Sequence, residues 1–302
     1  MKTLDIKKLS FEFKDNLKIN YDIKKKNWFN IGGKTKLFFK AENLNVLKNF
    51  IKKIKDEEKI FVLGAGSNTL FTDGIFDGVV IKLSQNFNKI SKLSEEIIIA
   101  GSAVTDKALS DYAMENNLSG FEFLSCIPGT IGGGIKMNAG CYGSEFKDIL
   151  LSVQAINKNG QIITIPSNRI IFEYRNSNLS NDLIFLSASF KGKKSNKEDI
   201  QSLMKKYKDQ KDITQPTKIK TSGSTFKNPI KQTDKKVWEL IKQSVPLNTS
   251  FGDAKISDKH CNFFVNKGNA SFKDMKNLIQ FVSNKVLENT GIKIETEIKI
   301  IE

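Results

Sequence analysis

Across 302 residues the chain carries three cysteines, five prolines, two tryptophans and one histidine. Cys126, Cys141 and Cys261 are odd in number, and none stands in a CxxC or metal-type spacing. That excludes a disulfide framework and a zinc site and fits a reducing compartment. No apolar run approaches the roughly 18 residues of a membrane span, and the opening MKTLDIKKLSFEFKDNL mixes charges with isolated apolar residues where a signal peptide needs an unbroken apolar stretch. A cytoplasmic chain without membrane insertion is expected.

Arginine is nearly absent as well, standing only at Arg169 and Arg175, so lysine carries almost all of the positive charge behind the net +15. Lysine runs at 24–26, 52–55, 191–194 and 205–206 are spread along the chain instead of gathering on one segment. The plain reading is a solvated lysine-rich surface; its field also attracts small anions such as nucleotides. A basic nucleic-acid-binding protein is the weaker reading, since no binding motif accompanies the charge; its binding would weaken steeply with salt.

A chain of this length exceeds the usual single domain, which points to two or three domains with ample apolar surface to bury. From Trp28 to Leu83 the pattern reads strand, helix, strand, turn, strand: TKLFFKA, then LNVLKNFIKKIKDE with Leu44, Leu47, Phe50, Ile51 and Ile54 on one face, then KIFVLGAGSN and GVVIKL. From about 87 to 195 come strand EEIIIAGSAV, helix TDKALSDYAMENN, a glycine-rich stretch, and strands SVQAINK, QIITIP and LIFLSASFK, with NKNG as a strong turn signal. A charged stretch near 192–199 reads as a linker. Beyond it lie helix DIQSLMKKYKDQK, a loop at 216–229, helix KKVWELIKQS, strand NFFVNKG, helix FKDMKNLIQFVSNKVLENTG and a final strand IKIETEIKI. The expected fold class is α+β, and no internal repeat appears.

Two glycine segments stand out. Gly64-Ala65-Gly66-Ser67-Asn68 follows an apolar strand, where bare backbone N–H groups suit a phosphate. Thr69 replaces the third glycine of a GxGxxG fingerprint and a loop follows instead of a helix, so an ordinary tight turn stays open as a reading. In Pro128-Gly129-Thr130-Ile131-Gly132-Gly133-Gly134, three successive glycines make a poor helix or strand; ordering such backbone implies close approach to another backbone or a ligand.

Seven motifs in fixed order resemble the UDP-N-acetylenolpyruvoylglucosamine reductase family: WFNIGG at 28–33, GAGSN at 64–68, IPGTIGGGIKMNAGCYG at 127–143, YRNS at 174–177, GSTFKNP at 223–229, HCNFFVN at 260–266 and IETEI at 294–298. The resemblance spans nearly the whole chain and matches the shorter form of the family, without a tyrosine-bearing insertion. It implies a FAD-binding fold of the vanillyl-alcohol-oxidase (PCMH) type in two subdomains, 1–86 and 87–198, and a C-terminal α+β substrate domain, 199–302. It further implies a monomeric enzyme of peptidoglycan synthesis that binds FAD non-covalently. NADPH would hand a hydride to the FAD, which passes it to the enolpyruvyl group of a UDP-sugar.

The same resemblance assigns candidate roles. Gly64, Ala65, Gly66, Ser67, Asn68, Ser125, Pro128, Gly129, Thr130, Gly132, Gly133 and Asn138 would hold the cofactor. Arg175 would clamp the substrate carboxylate, as a planar guanidinium does with two charge-assisted bonds. Ser224 would give the proton, and Glu295, preferred over Glu297, would sit beside the developing enolate. Lys227 and Asn228 would contact the substrate, with Lys218 and Lys220 as possible helpers. Without the resemblance, Arg175 reads as a surface ion-pair partner and Ser224 as a turn residue. His260 is left out of the catalysis. Asn30 departs from the family, where a basic residue commonly precedes IGG. A rival is another flavin oxidase of the same fold; many tether flavin through histidine, and the N-terminal half has none.

Overall fold

The computed structural model describes residues 5–54 and 59–302. The chain folds into two compact units, each assembled from separate stretches: Met1–Asn20, Lys36–Ala65 and Asp77–Gln210 in the first, and Tyr21–Thr35, Gly66–Phe76 and Lys211–Glu302 in the second.

The first unit has two apolar cores. One lies beneath a four-stranded sheet ordered Leu17–Asp22, Lys34–Ala41, Ile75–Leu83, Ile60–Val62, the last pair parallel. The expected helix forms over Leu44–Lys53, started by the Asn43 side chain, which accepts from Val46 N–H; residues 55–57 lie outside the described residues. Its apolar face buries Leu47, Phe50 and Ile51, and the Phe50 ring stacks on Phe39 at 3.6 Å with Phe13 edge-on to both. Each such side chain contributes about 1.5–3 kcal/mol by leaving water.

The other core lies under an antiparallel five-stranded sheet ordered Ile162–Pro166, Leu150–Ile156, Ile184–Lys191, Ile97–Gly101, Ile90–Lys92. The NKNG turn forms as expected, with Gly160 at φ +72° donating to Asn157 O. The glycine stretch differs from expectation: Ile131–Met137, all three glycines included, is an α-helix. Ile131 and Ile135 are fully buried and anchor it. A Cβ on Gly134 would lie 2.3 Å from the Phe146 ring, and one on Gly132 would lie 3.2 Å from Ser102 Cβ. Tertiary contact that only glycine permits thus outweighs a helix penalty of about 1 kcal/mol per glycine.

Between the units the chain runs through the helix Lys197–Thr214, and the change of unit falls inside it, at Gln210/Lys211. Within the stretch expected as a linker, Lys193–Lys194 pairs with Leu118–Ser119.

The second unit packs helices Val237–Ser244 and Phe272–Thr290 against a small sheet of Ser250–Phe251, Ala254–Ile256 and Phe264–Asn266. The long helix starts in a capping box of Ser271 and Asp274 and ends at Gly291, φ +70°. Met275, Leu278, Ile279, Val282 and Val286 form its buried stripe. The expected final strand is regular only over Lys299–Ile301, which runs parallel to Thr69–Phe71. Upstream, buried Ile294 and Ile298 still face away from exposed Glu295, but pairing reduces to one bridge, Thr296 to Phe226. Among the described residues no helix is long and apolar enough to cross a membrane, and no group of three His, Cys, Asp or Glu side chains is placed to hold a metal.

Candidate functional site

In the first unit the two glycine segments meet. Leu63 N–H bonds to Ile81 O at 2.9 Å and Lys82 Nζ donates to Gly64 O, which fixes the turn after the strand Ile60–Val62. A Cβ on Gly64 would lie 2.5 Å from Thr130 Oγ1, so the first segment rests on the second. The second is zipped to the segment before the Asp106–Glu115 helix: Ile131 N–H donates to Val104 O and Gly132 N–H to Ser102 O, both at 2.9 Å, and Thr105 bridges Thr130. Ser125 Oγ turns back to Glu122 O. Pro128 and Gly133 are exposed, Ser125, Gly129 and Gly132 half-buried, and Thr130 buried.

Asn138, expected among the cofactor residues, ends the glycine helix as its C-cap. It is fully buried at φ +42°, its Nδ2 donates to Glu145 Oε2 (2.9 Å) and Glu173 O (3.1 Å), and its Oδ1 accepts from Lys147 N–H (3.0 Å). Its amide braces the chain that follows the glycine helix.

That brace reaches the hairpin that presents Arg175. Phe172 pairs with Ser177 and Glu173 with Asn176, which leaves Tyr174 and Arg175 as the two turn residues. Arg175 sits at φ +56°, a region that favours glycine, so its backbone conformation is strained. Its guanidinium lies over the Tyr174 ring at 4.9 Å and donates to Gly140 O at 2.8 Å.

In the second unit Gly66, at φ +72°, could not be any other residue without collision: its Cβ would lie 2.2 Å from Lys26 O. Asn68 Nδ2 donates to Glu297 O and Asn68 O accepts from Lys299 N–H. Ser67 is half-buried. Asn30, the departure from the family pattern, stands at φ +52°, which asparagine tolerates better than most side chains.

The GSTFKNP segment is held on both sides. Ser224 bridges Phe263 and Phe226 bridges Thr296, while Lys227 N–H donates to Glu295 O at 2.9 Å and Glu297 N–H to Thr225 O at 2.8 Å. Lys227 Nζ lies 3.9 Å from Glu295 Oε2, whose side chain is 72% exposed. Such an exposed pair contributes little to stability. Ser224 and Glu295 lie on segments joined by these isolated bridges and backbone bonds, and no hydrogen bond joins their side chains. The Ser224 hydroxyl, half-buried, has no partner among the described residues, and beside it Gly223 is at φ +79° with nothing within 4 Å of where its Cβ would be. Asn228 Oδ1 accepts from Val237 N–H, so part of its amide holds the start of a helix. Lys220 Nζ is bonded to Gly268 O, and Lys218 is at φ +57°. His260 lies against Phe263, its Nδ1 accepts from Asn262 N–H, and burial lowers its pKa, which keeps the ring neutral. Burial, helped by Lys227, also lowers the pKa of Lys299.

Three features escaped the motif reading. Lys82 holds the Gly64 turn from within a plain strand. Tyr142, at φ +53°, stacks on Tyr207 at 4.5 Å and donates to its carbonyl, a contact between distant segments. Asp106, which reads as an ordinary first-turn acid, is fully buried against Gly129 with both carboxyl oxygens unpartnered.

The residues present fit a FAD. The stretch Ser125–Gly133 carries no charged side chain and exposes small residues and backbone, a surface that accepts a diphosphate without repelling it.

Comparison with known proteins agrees with this geometry. The FAD binding domain family matches residues 35–166, and the C-terminal domain family of UDP-N-acetylenolpyruvoylglucosamine reductase matches 215–301. The chain is 62% identical over 298 residues to the UDP-N-acetylenolpyruvoylglucosamine reductase of Pelagibacter ubique, with 99% of each covered. It is 44% identical over 288 residues to that of Rickettsia prowazekii, covering 95% of this chain and 96% of the other. The crystal structure of the corresponding reductase from Thermus caldophilus superposes with a TM-score of 0.81 at 29% identity, covering 95% of this chain and 98% of that one.

Proposed function

The chain belongs to the UDP-N-acetylenolpyruvoylglucosamine reductase family, an oxidoreductase with a FAD-binding domain, and on that premise we propose that it uses NADPH to reduce UDP-N-acetylglucosamine enolpyruvate to UDP-N-acetylmuramate. In this reading it is a monomeric cytoplasmic enzyme of peptidoglycan precursor synthesis. The three-part division at 86 and 198 belongs to the same proposal, with 199–302 taking the UDP-sugar.

The FAD, when bound, supplies the hydride. Gly64, Ala65, Gly66, Ser67 and Asn68 from one segment, and Ser125, Pro128, Gly129, Thr130, Gly132 and Gly133 from the other, hold it through backbone and small side chains. Asn138 belongs to the same cofactor set, its side-chain amide bracing the chain that follows the glycine helix. The lysine-rich surface draws in both anionic substrates.

Reduction of the enolpyruvyl double bond places negative charge on the carbon beside the carboxylate, and catalysis must stabilise that enolate and then protonate it. Arg175 holds the carboxylate by its fork, a task suited to a side chain that cannot lose its proton. Ser224 delivers the proton, and Glu295 stands beside the enolate or polarises the donor. Lys227 and Asn228 meet the sugar or diphosphate.

The unpartnered Ser224 hydroxyl beside the open space at Gly223 carries this reading, because a hydroxyl with no protein partner is available to a substrate atom. For Ser224→Ala, stopped-flow absorbance is expected to show near-normal flavin bleaching by NADPH and crippled recolouring by the UDP-enolpyruvyl sugar. Equal loss in both halves would remove Ser224 from the proton path.

A further inference from the structure

Asp106 has no part in the chemistry above, yet it lies against the cofactor loop. It opens the Asp106–Glu115 helix directly after the N-cap Thr105. It is 0% exposed, and neither carboxyl oxygen has a hydrogen-bond partner. Its N–H donates to Gly129 O at 3.3 Å, Thr105 bridges Thr130, and a Cβ on Gly129 would come within 2.4 Å of Asp106 Oδ2. The carboxyl therefore fills the space over Gly129 that a side chain there would occupy.

First-turn aspartates ordinarily face water as anions. A sealed carboxylate without a partner is far costlier than the neutral acid, and burial pushes the pKa of Asp106 well above the aspartate range, with no neighbouring charge contributing. On its own helix, Lys107 and Asp111 pair with each other at the exposed side. Neither Ser102–Thr105 nor Ile127–Thr130 holds a titratable side chain.

We propose that Asp106 is a positioning residue for cofactor binding: as the neutral acid it holds the Gly129 stretch in place, and its ionisation releases that stretch and weakens the hold on FAD. The inference rests on the reading that the 125–133 segment receives the diphosphate of FAD. An anionic diphosphate on this loop raises the cost of ionising Asp106, and by reciprocity ionised Asp106 binds FAD less well. Proton and cofactor are then cooperative ligands.

The test measures FAD affinity of the full cofactor-stripped chain by flavin fluorescence across a pH series, for the wild type and Asp106→Asn. Wild-type affinity is expected to fall as pH rises through the titration of Asp106, with a limiting slope of about tenfold per pH unit. Asparagine has nearly the same shape and cannot ionise, so its profile should be flat over that range. Coincident profiles overturn the proposal. Should Asp106→Asn fail to fold, infrared spectra of the wild type with isotope-labelled aspartate decide. A protonated carboxyl band that vanishes together with FAD binding supports the proposal, and absence of that band at neutral pH overturns it. Gly133→Val, which puts a side chain on exposed loop backbone with only Thr130 Oγ1 nearby at 3.7 Å, separates the two ideas. Unchanged FAD affinity there sinks the loop reading and this inference with it. Lost affinity there with coincident profiles for wild type and Asp106→Asn sinks the inference alone.

Discussion

Gly64→Ala places one methyl in a space whose dimensions are known. The new Cβ would lie 2.5 Å from Thr130 Oγ1, with Thr130 Cβ next at 3.8 Å. Ordinary contact starts at 3.4 Å, so the oxygen must retreat by 3.4 − 2.5, about 0.9 Å. Thr130 is buried at the N-cap position of the Ile131–Met137 helix, in an extended backbone conformation, which leaves its side chain little room to turn. Overpacking of this kind costs about 1–3 kcal/mol. Against that, Gly64 is not among the residues with positive φ, so alanine fits the backbone and restricts the unfolded chain, which returns about 0.4–1 kcal/mol. The single variant should lose up to about 2.6 kcal/mol on balance, with a midpoint of about 1.3 kcal/mol.

With Thr130→Ala in place the offending oxygen is gone, and Gly64→Ala should change sign and stabilise by about 0.4–1 kcal/mol. Urea unfolding of the four apo proteins, followed by circular dichroism, completes the cycle. FAD affinity, read alongside, should drop in Gly64→Ala and recover towards the Thr130→Ala value in the double variant. If Gly64→Ala costs the same in both backgrounds, the two glycine segments do not press on each other at this point, and a cradle built from both loses its basis.

Arg175→Lys keeps the charge and loses the fork and the stack on Tyr174. Reduction of the enolpyruvyl substrate should slow by about tenfold or more, from loss of roughly 1.5–3 kcal/mol in charged hydrogen bonding; normal turnover would take Arg175 out of the site. For the apo protein, Asp106 sets a pH dependence of stability. Above the ordinary aspartate range the unfolded chain has released this proton while the folded chain still holds it, so stability is greatest in acid and falls as pH rises towards the folded value. Asp106→Asn should remove that slope from urea midpoints taken over pH, and an equal slope in both proteins would contradict it.

Most of the fold was legible where one period of apolar residues sat between clear stops. The Leu44–Lys53 and Phe272–Thr290 helices and the strands on either side of NKNG follow directly from such patterns. Motif order located the glycine segments, the Arg175 hairpin and the Ser224 segment. The burial of Asp106 was not legible, because Thr-Asp at a helix start is the ordinary signature of a solvated cap and only the facing loop seals it. The side-chain partners of Asn138 were not legible for a related reason: an asparagine beside a glycine loop has the same letters whether its amide is open or, as here, ties separate stretches of chain together. The glycine helix escaped because propensity is local while Phe146 and Ser102, which demand the glycines, lie outside the helix itself.

Three of the seven non-glycine residues with positive φ among the described residues fall on the segment after the glycine helix and the hairpin bonded to it. In the first unit Asn138, Tyr142 and Arg175 all have positive φ, and each such residue costs on the order of 1 kcal/mol unless its surroundings hold it. The holding contacts are visible: Asn138 bonds to Glu173 in the Arg175 hairpin, Arg175 bonds back to Gly140, and Tyr142 is pinned on Tyr207. A closed set of bonds thus links the segment after the glycine helix to the hairpin, so Arg175 cannot relax without breaking the brace. In the role proposed for it, a guanidinium that meets a planar carboxylate would gain from that arrangement, because its orientation is settled in advance. On that proposal, the strain held at these three residues is the cost of presenting one arginine in one direction.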